Sequence, residues 1–131
     1  MNSRKALQVF TFLFGLGAAL TAVGSMTGLD NPTYAALDLP PAIALDNNLR
    51  FYGGIWMALG LAAMWLAPHV STQTALYRTL WGAIFLGGIG RVCSMIFAGT
   101  PPPEFIVYVV IELVLPPLAV WWQYHVANAR P

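Results

Sequence analysis

Two ionisable residues interrupt stretches that are otherwise apolar. Arg91 lies in Gly87-Gly88-Ile89-Gly90-Arg91-Val92-Cys93-Ser94, and Glu112 lies between Tyr108 and Pro116. A charge at the centre of a hydrocarbon layer costs about 2.5–3.5 kcal/mol on insertion scales, so such residues face other protein, find partners and often mark function. An arginine and a glutamate at one depth can form a charge-assisted hydrogen bond. Gly87 and Gly88 lie four and three residues before Arg91, and Ser94 three after it, so one helical face carries Gly, Gly, Arg and Ser. Tyr108 lies four residues before Glu112, while Pro116, four after, lacks the N–H that would bond the Glu112 carbonyl. Arg50 follows Asp46, Asn47 and Asn48, and its long stem could reach inward or snorkel outward to roof a polar pocket. The candidate ligand-binding set is therefore Arg91, Glu112, Arg50, Asn48, Ser94 and Tyr108. Its chemistry suits a lipid headgroup, a quinone-like ring or another small amphiphile, with Arg91 on an anionic or carbonyl oxygen and Glu112 holding Arg91. The alternative is a structural or accessory subunit in which the Arg91–Glu112 pair fixes helix packing and the glycines let helices approach closely.

Other chemistries find no support. The single cysteine, Cys93, has no thiol or histidine at metal-ligand spacing, so no metal site or internal disulfide is expected. His69 and His125 belong to the end of the chain's spans opposite the acids, so no triad assembles, and no catalytic residue is expected. Gly87-Gly88-Ile89-Gly90 sits inside an apolar span, not between a strand and a helix, and so is no phosphate loop. No cofactor motif accompanies Glu112, and the expected role is not enzymatic. A formal net charge of +1, with no basic cluster beyond Arg4-Lys5, argues against nucleic acid.

The elements that must position these residues follow from composition. The 131 residues are 58% hydrophobic and 8% charged, too few charges to coat a soluble domain, so the solvent is lipid. About 20 apolar residues cross the hydrocarbon as a helix. Four such helices are expected, at about residues 6–27, 49–67, 75–98 and 104–126, in one membrane domain covering 1–131. Asp46, Asn47 and Asn48 are expected to cap the second helix, and the run Gly99-Thr100-Pro101-Pro102-Pro103 ends the third. A cleaved signal peptide is the competing reading of the first span, although its apolar stretch exceeds an ordinary signal core.

Short loops make neighbouring helices antiparallel, so the fold class is all-α, an integral membrane four-helix up-down-up-down bundle. Arg4, Lys5, Arg78 and Arg130 fall on one side, and Asp30, Asp38, Asp46 and Glu104 on the other, which puts both termini in the cytoplasm. Trp65, Tyr77, Trp81, Trp121, Trp122 and Tyr124 fall near that cytoplasmic interface as an aromatic belt. The outer loop, residues 29–48, is expected on the outer membrane face with about one helical turn. Counting from the outer ends, Arg91 lies about 10 Å deep and Glu112 about 12 Å, at one level.

The ordered residues Asn47-Asn48-Leu49-Arg50-Phe51-Tyr52-Gly53-Gly54, then Gly87-Gly88-Ile89-Gly90-Arg91-Val92-Cys93-Ser94, then Glu112 with Pro116, carry a further signal. They resemble a family of small bacterial four-helix membrane proteins catalogued as a domain of unknown function, with the pattern N-x-x-R-F-x-x-G, G-G-x-G-R-x-x-S and a glutamate in the last helix. The resemblance covers nearly the whole chain. More distantly, the architecture is similar to the small DoxX-type membrane proteins. The resemblance singles out Asn47 or Asn48, Arg50, Gly53, Gly90, Arg91, Ser94 and Glu112, and implies a multi-pass protein of the bacterial inner membrane without lending an activity. The expected partners are membrane lipid, a small amphiphilic ligand, and a further copy or another membrane protein.

Overall fold

The computed structural model describes residues 2–40 and 42–129. Arg130, counted above toward the orientation, and Pro41 of the outer loop lie outside the described residues. Those described are all-α. In chain order they form α1 (Ser3–Ser25), a 3-10 turn (Gly28–Asp30), α2 (Pro32–Ala35), α3 (Ile43–Leu66), a second 3-10 turn (Ala67–His69), α4 (Thr74–Ala98) and α5 (Pro103–Asn128). Four of these helical segments are long and apolar enough to cross a membrane: Ser3–Ser25, Ile43–His69, Thr74–Ala98 and Pro103–Asn128. Hydrocarbon offers no partner to a free N–H or C=O, so segments of this composition close their hydrogen bonds internally as helices. Large apolar side chains such as Leu20, Leu86, Ile96 and Phe97 point outward, as a lipid-facing surface requires.

The chain forms two compact units, residues 9–67 and residues 1–8 with 68–131. In the first, α1 and α3 run antiparallel, since Gly15 meets Gly60 and Met64 while Met26 meets Gly53. The contact is built on small residues. A Cβ added at Gly60 would lie 2.7 Å from the Ala19 nitrogen and 2.8 Å from the Gly15 carbonyl oxygen, both backbone atoms that cannot yield. Buried Ala18, Ala22 and Ala63 continue this closely packed region. Trp56 adds direction, donating from Nε1 to Thr21 Oγ1 at 2.9 Å and meeting the Phe14 ring edge-on. Helix α1 ends in a left-handed turn at Gly28, with φ of +65°, where any side chain would be strained and would strike the Asp46 carboxylate. Asn31 then starts α2, its Oδ1 accepting from the Thr33 N–H at 2.9 Å, with Pro32 in the first turn.

The second unit has a bulkier core of Leu7, Val70, Tyr77, Leu80, Trp81, Ile84, Val109 and Ala119. Helices α4 and α5 are antiparallel, with Thr74 against Gln123, Gly88 against Leu113 and Arg91 against Glu112. Pro116 and Pro117 fall within α5, so the carbonyls of Glu112 and Leu113 lack their helical donors.

Two expectations are corrected. Helix α3 begins at Ile43 and not near Leu49, which puts Asp46, Asn47 and Asn48 inside its first two turns; Ala42 is the N-cap and supplies no side-chain cap. The Asp46 carboxylate is used elsewhere, and its salt-bridge partner one turn on helps continue the helix toward the loop. Tyr77 and Trp81 are fully buried, so they belong to the core and not to an interfacial belt; Trp65, Trp121 and Tyr124 are exposed. Because Tyr77 and Trp81 are four apart on one face of α4, one contact face buries both rings.

A matched pair of substitutions checks the α1–α3 contact. Gly60→Ala forces backbone apart and is expected to destabilise by about 1–3 kcal/mol. At Gly54 a Cβ meets nothing within 4 Å, so Gly54→Ala is expected to be neutral or stabilising by up to about 1 kcal/mol. Thermal unfolding in detergent, followed by circular dichroism, reads both.

Candidate functional site

The site is built where α4 and α5 pack closely at Gly88. Gly88 has no side chain, and a Cβ there would lie 2.9 Å from Leu113 Cδ2 and 3.0 Å from Glu112 Cβ. One turn further along α4, Arg91 donates from Nε to Glu112 Oε2 at 2.8 Å. The glycine thus sets the spacing at which the two side chains meet. The Tyr108 ring, one turn before Glu112, lies with its centroid 5.6 Å from Arg91 Cζ, within cation–π range. Phe105 holds that ring edge-on, with centroids 6.2 Å apart.

The pair is lopsided. The Glu112 side chain is 14% exposed and that of Arg91 40% exposed, so the carboxylate sits inside and the guanidinium faces outward. Among the described residues, Arg91 Nη1 and Nη2 make no hydrogen bond, and neither does Glu112 Oε1. Tyr108 and Ser94 offer two further hydroxyls in this unit, both on exposed residues. Gly87 and Gly90, on the same α4 segment, would meet nothing within 4 Å if given a Cβ. Arg91 thus keeps Nη1 and Nη2 as unused nitrogens on a helix segment that also carries two uncovered glycines. Hydrogen bonds from a charged donor in a low-dielectric setting are the strong ones.

Of the six residues expected from sequence, the structure brings Arg91, Glu112 and Tyr108 together. Ser94 stands one turn from Arg91 on α4, and its hydroxyl makes no hydrogen bond among the described residues. Arg50 and Asn48 belong to the other unit, where both are exposed and Arg50 makes several hydrogen bonds. Arg50 donates from Nε to Asp46 Oδ2 at 2.7 Å, from Nη2 to Asp46 Oδ1 at 3.2 Å and Asp30 Oδ2 at 3.4 Å, and from Nη1 to the Met26 carbonyl at 3.1 Å. Asp46 Oδ1 also accepts from the Leu29 N–H at 2.9 Å. This arrangement clasps the end of α1 to the start of α3. It uses four of the five N–H groups of Arg50 within the protein.

Gln123 was not singled out by sequence. It is fully buried, and its Nε2 donates to the Val70 carbonyl at 3.0 Å and to Thr74 Oγ1 at 2.9 Å, while its Oε1 has no partner among the described residues. It ties α5 to the turn before α4, as Gln8 Nε2 does with the Pro68 carbonyl at 3.3 Å and Trp122 Nε1 does with Ser3 Oγ at 2.9 Å. A lone amide among aromatic residues near a helix end reads as interfacial until its neighbours are placed.

A family model described as "Domain of unknown function (DUF4345)" matches residues 6–123. No curated protein and no solved structure matches the chain.

Two measurements follow from these geometries. Asp46→Ala strands the Leu29 N–H and is expected to lower the unfolding temperature, and to lower it more than Asp30→Ala, which removes only an exposed pair. At the other cluster, Arg91→Met or Glu112→Leu alone leaves an unpaired charge and is expected to cost about 2.5–3.5 kcal/mol. The double variant is expected to be more stable than either single one, as a thermal double-mutant cycle will read.

Proposed function

The chain belongs to the family of that domain of unknown function, and from this premise we propose that it is a membrane protein that binds a small amphiphilic molecule or lipid through Arg91. The observation that carries this reading is the half-exposed guanidinium, fixed by Glu112 at Nε and by the Tyr108 ring, with Nη1 and Nη2 unused. A charge kept in an apolar helix and only half satisfied by protein invites an oxygen from outside. The role we propose is binding, with Arg91 presenting donors to an oxygen and Glu112 holding Arg91 in place.

The setting we propose is the bacterial inner membrane, crossed four times in up-down-up-down order with both termini in the cytoplasm. Arg4, Lys5 and Arg78 on one side of the spans, against Asp30, Asp38, Asp46 and Glu104 on the other, support that orientation. The Arg91 level then opens toward the outer leaflet.

A second reading has its own support in Gly88, which puts the ion pair at the close α4–α5 approach. On that reading the pair fixes register in a structural or accessory subunit, whose partners are a further copy or another membrane protein.

Native mass spectrometry of the detergent-purified protein separates the two. An adduct carried by wild type and absent from Arg91→Ala, with helical content retained in the variant, is the expected result. Adduct patterns unchanged by a folded Arg91→Ala would overturn the binding reading.

A further inference from the structure

Resting on the binding reading above, we propose that the Arg91 site takes an uncharged amphiphile through a carbonyl oxygen and discriminates against anionic headgroups, with Glu112 setting that choice. The argument is one of charge balance. Arg91 and Glu112 already cancel at 2.8 Å. A phosphate or carboxylate reaching Nη1 or Nη2 would be drawn by the guanidinium and repelled by a carboxylate a few ångströms further in. It would also leave a net negative charge among apolar helices, where ionic solvation is poor. A neutral carbonyl keeps the local charge at zero and still accepts strong, charge-assisted bonds from the two free nitrogens.

The surroundings suit such a group. The Tyr108 ring covers the guanidinium at 5.6 Å, leaving its edge as the route of approach. Gly87 and Gly90, on the same segment of α4, leave the helix backbone uncovered, since a Cβ at either would meet nothing within 4 Å. Carbonyl oxygens of this kind come from the ester of a diacyl lipid or from a quinone ring, and both share the chemistry the site reads.

The test is competition in mixed micelles, read by native mass spectrometry, with dioleoylglycerol and decylubiquinone as neutral probes and dioleoyl phosphatidic acid as the anionic one. For wild type, a neutral probe is expected to exceed the anionic one by about tenfold in occupancy at equal mole fraction, a difference of about 1.4 kcal/mol. Whichever neutral probe binds names the source. In Glu112→Gln, which keeps an acceptor for Nε but leaves Arg91 uncompensated, the preference is expected to reverse toward phosphatidic acid. Arg91→Ala should lose both. Wild type preferring phosphatidic acid in an Arg91-dependent way would overturn the charge selection and leave the site standing. A folded Glu112→Gln that keeps the neutral preference would remove Glu112 from that role. Adducts indifferent to Arg91 would sink the site itself. The wild-type competition decides the selection even if Glu112→Gln does not fold.

Discussion

A helix in hydrocarbon must satisfy its backbone polar groups within itself and its side-chain charges against other protein, because lipid supplies neither donor nor acceptor. That constraint fixes the long apolar helices and then decides what happens at their few polar residues. Arg91 and Glu112 meet at 2.8 Å across α4 and α5. Their meeting depends on Gly88, since a side chain there would strike Leu113 and Glu112 and hold the helices apart. The ion pair and the glycine are one device, in which close backbone approach is the condition for charge pairing.

The same rule yields a different result in the other unit. Small residues bring α1 against α3 at Gly15 and Gly60, but the charges lie at the helix ends, where the chain turns. There Arg50 and Asp46 bind each other and also backbone groups of the α1 end, the Met26 carbonyl and the Leu29 N–H. Every nitrogen of Arg50 has a partner. Two arginines of equal charge thus carry different work: Arg50 closes a turn, while Arg91 leaves both terminal nitrogens without a hydrogen bond among the described residues.

Prolines add to the contrast. Pro116 and Pro117 remove donors from the carbonyls of Glu112 and Leu113, beside the residue against which Gly88 packs. Local backbone polarity therefore concentrates at the same step of α5 as the carboxylate. At the far end of these helices, Gln123, Gln8 and Trp122 tie side chains to the turn and to the chain's start. That end is fastened by hydrogen bonds, and the Arg91 end by an ion pair.

Amino-acid order alone determined the all-α class, the four long helices and the shared level of Arg91 and Glu112. These follow from apolar run length, from 1.5 Å of rise per residue and from proline and glycine stops, all local quantities. The helix starts were less legible: α3 reaches back to Ile43 because Asp46 is satisfied by Leu29 and Arg50, partners that no local pattern reveals. Tertiary structure alone decided which glycines matter, separating Gly60 and Gly88 from Gly17 and Gly54, and placed Tyr77 and Trp81 in the core. It also decided that Arg50 uses every nitrogen within the protein while Arg91 uses only Nε. The physical reason is that satisfaction of a polar group depends on which atoms lie within about 3 Å of it. Sequence spacing fixes the face and depth of a side chain, and only the packed helices fix its neighbours.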